Sequence, residues 1–138
     1  MIYDALTILM ADDDLEDMEM MEDAITAIEP KAVLHKVESG KAAIDYLNSQ
    51  PGSKLPCLII LDYNMPELKG SEVLEVIRKD NRYKGIPKVI LSTSNTKAYI
   101  EECIRHGATE YFVKPHNLDD LTKIAKQMLN YCKNDNQN

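Results

Sequence analysis

Five short apolar runs, each followed by an amphipathic stretch, dictate what this chain can fold into. The runs occupy residues 6–11, 32–37, 56–61, 87–91 and 109–113, and their starts lie 22 to 31 residues apart. That spacing suits one strand plus one crossover helix per unit. The segments 58–61 and 89–91 have almost no polar alternation, the pattern of strands covered on both faces. The run at 32–37 carries His35 and Lys36 and suits a sheet edge.

Between the runs, apolar residues recur at helical spacing. The stripes are Met18, Met21, Ile25 and Ile28; then Ala43, Ile44 and Leu47; then Val73, Leu74 and Ile77; then Ile100, Cys103 and Ile104; and last Leu121, Ile124, Ala125, Met128 and Cys132. Pro30 and Gly107 read as helix stops, and Asn117 as a cap. Five strands alternating with five helices predict a single α/β domain, with a mostly parallel sheet and helices on both faces. The core is expected over about 6–132, with the polar tail 133–138 frayed.

Composition narrows the function. The net charge is −7 and the longest basic run is two residues, so nucleic acid is not an expected partner. Residues 12–23 hold eight acids and no base, a block that reads mostly as a solvated helix face. No apolar stretch approaches the ~20 residues of a membrane span, and no signal peptide is visible at the start, so a cytoplasmic location is expected. Cys57, Cys103 and Cys132 are odd in number and form no CxxC, which reads as buried, reduced thiols. His35, His106 and His116 read as surface residues. Met20 falls off its stripe and is expected to be exposed, where it can touch a partner.

The chemistry gathers where the runs end. Asp12 and Asp13 end the first, Asp62 the third, Ser92 and Thr93 the fourth and Lys114 the fifth. In open parallel sheets, ligands bind outside the carboxyl ends of the strands. Three carboxylates brought together repel unless a cation joins them. Oxygen ligands select a hard ion, and Mg²⁺ accepts a site of few carboxylates completed by water. Lys114 competes with such an ion unless a further anion enters, and a phosphoryl group is that anion. Phosphoryl transfer needs mainly positioning and charge neutralisation.

ILMADDD, LIILDYNMPELKG, PKVILSTS and EYFVKP, in this order and spacing, resemble the motifs of the receiver domains of two-component response regulators. The resemblance spans about residues 6–132 and extends to the chemotaxis receiver. It implies a flavodoxin-like (βα)5 doubly wound sandwich with strand order 2-1-3-4-5. It implies that Asp62 accepts a phosphoryl group from a sensor histidine kinase or a histidine phosphotransfer protein. Asp12, Asp13, Asp62 and the backbone carbonyl of Asn64 would hold Mg²⁺, with Asp14 outside the set. Lys114, Ser92 and Thr93 would bind the phosphoryl group, and Ser92 and Tyr111 would switch with it. Asn64 and Ser94 would tune hydrolysis, and the bond to Pro115 would be cis. Ser92 stands where the family more often has threonine, which keeps the hydroxyl. The spacing after the acidic pair, the long third loop and KDNRYKGIPKVILSTS resemble small stand-alone receivers associated with phytochrome kinases. With no output segment visible, signalling is expected through an unidentified downstream protein, and through a homodimer of the fourth helix, fifth strand and fifth helix.

Two other classes were weighed. A phosphatase or phosphotransferase with an aspartyl intermediate usually carries a second Asp two residues after the nucleophile, where this chain has Asn64. A degenerate receiver acting only as a scaffold would not need the full acid set. A dinucleotide role is disfavoured because acids, not a glycine-rich loop, follow the first run.

Overall fold

The computed structural model describes residues 6–136. In chain order the elements are β1 (Leu6–Ala11), α1 (Leu15–Ile28), β2 (Ala32–Val37), α2 (Gly40–Ser49), β3 (Leu58–Leu61), α3 (Gly70–Ile77), β4 (Lys88–Ser92), α4 (Lys97–Arg105), β5 (Glu110–Val113) and α5 (Leu118–Asn136). The strands form one sheet in the order β2-β1-β3-β4-β5, every pair parallel. The α/β class, the strand order and the edge position of β2 are as the sequence predicts. His35 and Lys36 are exposed on that edge, and Lys36 is tied to Glu22 of α1 at 2.6 Å.

Period-two alternation along each strand builds two cores. Ile8 and Met10 of β1, Leu58 and Ile60 of β3 and Val89 and Leu91 of β4 point to one face. There they meet Met18, Met21 and Ile25 of α1 and Leu121, Ala125 and Met128 of α5. Leu9 and Ala11, Ile59 and Leu61, and Ile90 point to the other face, against Ala43 and Leu47 of α2, Val73 and Leu74 of α3 and Cys103 of α4. β3 is therefore apolar at every position, LIIL, because both faces of the central sheet are covered.

Local signals fix the helix ends. Asp14 caps α1 by accepting from the Asp17 N–H, at 3.1 Å. Ser39 caps α2 through the Ala42 N–H, at 3.1 Å. Asn117 accepts from the Asp120 N–H at 2.8 Å at the start of α5, as expected. Gly107 ends α4 at φ 103°, the left-handed conformation glycine adopts without strain.

Several expectations need correction. Ile104 was assigned to a buried stripe but is 48% exposed, because α4 lies over the β5 edge, where its outer flank has no neighbouring helix. His106 is half-buried, its Nδ1 3.2 Å from the Ser71 carbonyl oxygen. Most of the expected frayed tail is helical, since α5 continues to Asn136; residues 137–138 lie outside the described residues. Cys57 and Cys132 are not separate thiols: they form a disulfide with Cα atoms 5.0 Å apart, joining the entry to β3 with α5 across 75 residues of sequence. Cysteine number and spacing say nothing about which helix face crosses which strand, so the pair was not legible. Cys103 is free and buried as expected.

Ile60 has no exposed surface, so Ile60→Ala should lower unfolding free energy by about 2–5 kcal/mol. Urea denaturation gives the value, and a loss below about 1 kcal/mol would contradict this packing.

Candidate functional site

The parallel arrangement delivers β1, β3, β4 and β5 with their carboxyl ends at one edge of the sheet. The strand after each end is pinned by its neighbour. The Asp12 N–H donates to the Val37 carbonyl at 3.1 Å, the Asp62 N–H to the Ala11 carbonyl at 3.0 Å, and the Lys114 N–H to the Ser92 carbonyl at 2.8 Å. These bonds set the side chains that follow into register. Asp12, Asp13 and Asp62 each offer a carboxylate oxygen within 4.8 Å of the others. Asp12 and Asp62 are buried, at 1% and 7% exposure, while Asp13 is exposed.

Lys114 reaches into this acid cluster. Its Nζ lies 2.8 Å from Asp12 Oδ2, 2.7 Å from Asp17 Oδ2 and 3.5 Å from Asp62 Oδ2. Asp12 Oδ1 accepts from the Asp14 N–H at 2.9 Å. Burial pushes the Asp12 carboxyl up to about 6; Lys114 and the Asp14 N–H act against that shift, and the Asp62 charge adds to it. Burial acts to lower Lys114, but its bonds to Asp12 and Asp17 and the charge of Asp62 outweigh it, so the ammonium is held above its usual value. One fixed cation thus shares three carboxylates, leaving an anionic cluster of hard oxygens. Such a donor set fits a divalent cation.

The turn after Asp62 is shaped by close backbone packing. A Cβ at Gly70 would sit against the Asp62 carbonyl oxygen, and the Gly70 N–H donates to the Tyr63 carbonyl at 2.8 Å. Only glycine lets α3 begin this close to β3. Asn64 is exposed in the loop between them.

The β4–α4 loop carries the hydroxyls. Ser92 is buried, and its Oγ accepts from the Ser94 N–H at 3.3 Å. Thr93 is exposed. The Tyr111 hydroxyl donates to the Ser94 carbonyl at 2.7 Å, bridging β5 to this loop. The expected cis bond is a correction: among the described residues no peptide bond is cis, so Lys114–Pro115 is trans. Trans is the lower-energy form for X–Pro, and Lys114 reaches the carboxylates with it.

Sequence reasoning missed two residues. Asp17 was read as part of a solvated acidic face, yet the first turn of α1 places it on Lys114. Its position five residues after Asp12 was the only available signal. Tyr63, next to Asp62, is buried; its ring stacks on Tyr99 of α4 with centroids 4.3 Å apart, and its hydroxyl donates to Glu102 at 2.8 Å. Burial first, then Glu102, pushes the Tyr63 phenol up to about 12.

The fold and site together are a doubly wound parallel sheet with carboxylates and a lysine gathered at its carboxyl edge, and with acids rather than a glycine-rich loop after β1. The model of the response regulator receiver domain matches residues 8–126, and the chain belongs to that family. It is 37% identical over 93 residues to the two-component response regulator ORR5 of Oryza sativa subsp. japonica, covering 67% of each chain. It is 34% identical over 131 residues to the regulator ARR7 of Arabidopsis thaliana, covering 90% of this chain and 62% of that one. The chain thus spans about two thirds or less of the curated relatives it matches. The phosphorylated cyanobacterial phytochrome response regulator RcpA superposes with a TM-score of 0.83 at 29% identity, covering 92% of this chain and 93% of that one. The Mn²⁺-bound form of the response regulator Rcp1 does so at 0.78 and 30%, covering 88% and 90%. The expected receiver resemblance, including its phytochrome-regulator shade, is borne out.

Replacing Lys114 by Met should remove roughly 3 kcal/mol of metal-free stability, because the buried Asp12 loses its cation. Magnesium chloride should then raise the melting temperature more in Lys114→Met than in the wild type, since the ion no longer competes with an ammonium. An equal or smaller rise would refute the shared-cation account. Ion affinity, followed by calorimetric titration, should also weaken as pH falls through about 6, because a proton on Asp12 must leave before the ion binds.

Proposed function

We propose that the chain accepts a phosphoryl group on Asp62 and passes the signal on through its surface. The carrying observation is the single edge that holds Asp62 beside Asp12, Asp13 and Lys114. A carboxylate oxygen of Asp62 attacks the phosphorus of a phosphohistidine on a sensor kinase or phosphotransfer protein. The P–N bond breaks, and the leaving imidazole keeps the electron pair and takes a proton. Asp12, Asp13 and Asp62, with the Asn64 carbonyl, would hold Mg²⁺, which supplies positive charge beside the incoming phosphoryl oxygens. Lys114 binds a phosphoryl oxygen, and the Ser92 hydroxyl turns toward another. Thr93, exposed on the same loop, takes a lesser part in that contact.

Asn64 stands where an aspartyl phosphatase would place a general acid, and an amide delivers no proton. Asn64 and Ser94 flank the path of water and set a slow hydrolysis, so the chain works as a switch, not as a turnover enzyme. Tyr111 follows Ser92: when the hydroxyl turns, the bond to the Ser94 carbonyl gives way and the β4–α4 loop moves.

Exposed Met20 and Leu118, at 45% and 66%, lie beside the site on α1 and α5 and suit a phosphodonor protein. Exposed Ile104 and Val113, at 48% and 41%, support a second contact face on α4 and β5, for a target or a second copy. No helix of the described residues is long and apolar enough to cross a membrane. We place the chain in the cytoplasm.

Acetyl phosphate with magnesium chloride should label the wild type on an acid-labile, hydroxylamine-sensitive site. Asp62→Asn should reduce labelling to background, and a mutant labelled as well as the wild type would sink the function.

A further inference from the structure

Three acids in a row follow β1, and they divide between two tasks. Asp12 and Asp13 belong to the cluster that can hold an ion, whereas Asp14 caps α1 by accepting from the Asp17 N–H at 3.1 Å. The cap fixes the first turn and with it the aim of the Asp17 side chain, which takes Lys114 Nζ at 2.7 Å. Asp17 is no member of the ion cluster. An ion that engages Asp12 therefore draws that carboxylate away from Lys114 but leaves Asp17 in place.

The distances show where the ammonium is drawn. At 2.7 Å its contact with Asp17 is a full charge-assisted hydrogen bond; the 2.8 Å contact with Asp12 Oδ2 is an ion pair without hydrogen-bond geometry, and 3.5 Å to Asp62 is at the limit of a bond. A phosphoryl group on Asp62 needs this ammonium. We infer, building on the phosphoacceptor reading above, that Asp17 is a positioning residue that restrains Lys114. It holds the ammonium off the acceptor, and a phosphoryl oxygen must displace it. The Asp17 side chain is 33% exposed, so solvent screens the restraint and lets it break. Asp17 thereby sets how fast Asp62 is phosphorylated and how long the product lasts.

The test uses the full chain, acetyl phosphate and saturating magnesium chloride, with phosphorylation and decay followed on phosphate-affinity gels. Asp17→Asn should phosphorylate about three- to fivefold faster and lose the group more slowly by a similar factor, the size expected for one screened ion pair. Asp17→Glu, which restores the charge, should return toward the wild type. Glu16→Gln removes the same charge from an exposed neighbour on α1 and should stay within about twofold of the wild type. A crystal structure of metal-free Asp17→Asn should show Lys114 Nζ moved to about 3 Å from Asp62. Unchanged or slower phosphorylation in Asp17→Asn, or an equal gain in Glu16→Gln, overturns the inference alone, provided the wild type is labelled. If no form is labelled, the phosphoacceptor function falls with it. Should Asp17→Asn fail to fold, Asp17→Ser carries the same comparison.

Discussion

Everything at the working edge depends on one ammonium shared among carboxylates. Burying Asp12 and Asp62 side by side costs free energy that the apolar sheet alone cannot offset. Lys114 offsets it, and does so from β5, two strands away from β3 and at the far side of the sheet from β1. The ion pair therefore exists only once the strands are assembled in their parallel order. Its chemistry and the topology specify each other: the sheet brings the charges together, and the charges tolerate burial only in that sheet.

The same economy explains why the cluster suits an exchange of cations. A site built to be neutral would have nothing to gain from an ion. Here three acids stand against one lysine, with a fourth acid on α1 holding the lysine from the opposite side. The excess negative charge favours a divalent ion, and an ion that engaged Asp12 would loosen the lysine from that carboxylate while Asp17 kept its own hold.

The architecture was legible because it rests on periodicity. Runs such as LIIL and VIL cannot be half-exposed, and the stripes through Met18–Ile25 and Leu121–Met128 have one face each. The strand-end residues were legible because parallel topology assigns them one edge. What escaped was contact between elements distant in sequence. Asp17 touches Lys114 across 97 residues and Cys57 meets Cys132 across 75, and neither leaves a local pattern. Ile104 failed for a related reason: spacing marks the apolar side of α4, but how far a neighbour covers that side depends on packing at the sheet edge. The trans bond at Pro115 likewise depends on its surroundings and not on the dipeptide.

The Tyr63–Tyr99 stack has an optical consequence. The chain holds seven tyrosines and no tryptophan, so phenol rings dominate its near-ultraviolet spectrum over the lesser signals of Phe112 and the disulfide. One of those rings belongs to Tyr63, the residue after Asp62, and lies against a ring on α4. Any shift of that turn relative to that helix alters the overlap of the two rings, and with it their coupled dichroism. The protein thus carries its own label for any displacement of the turn after Asp62 against α4.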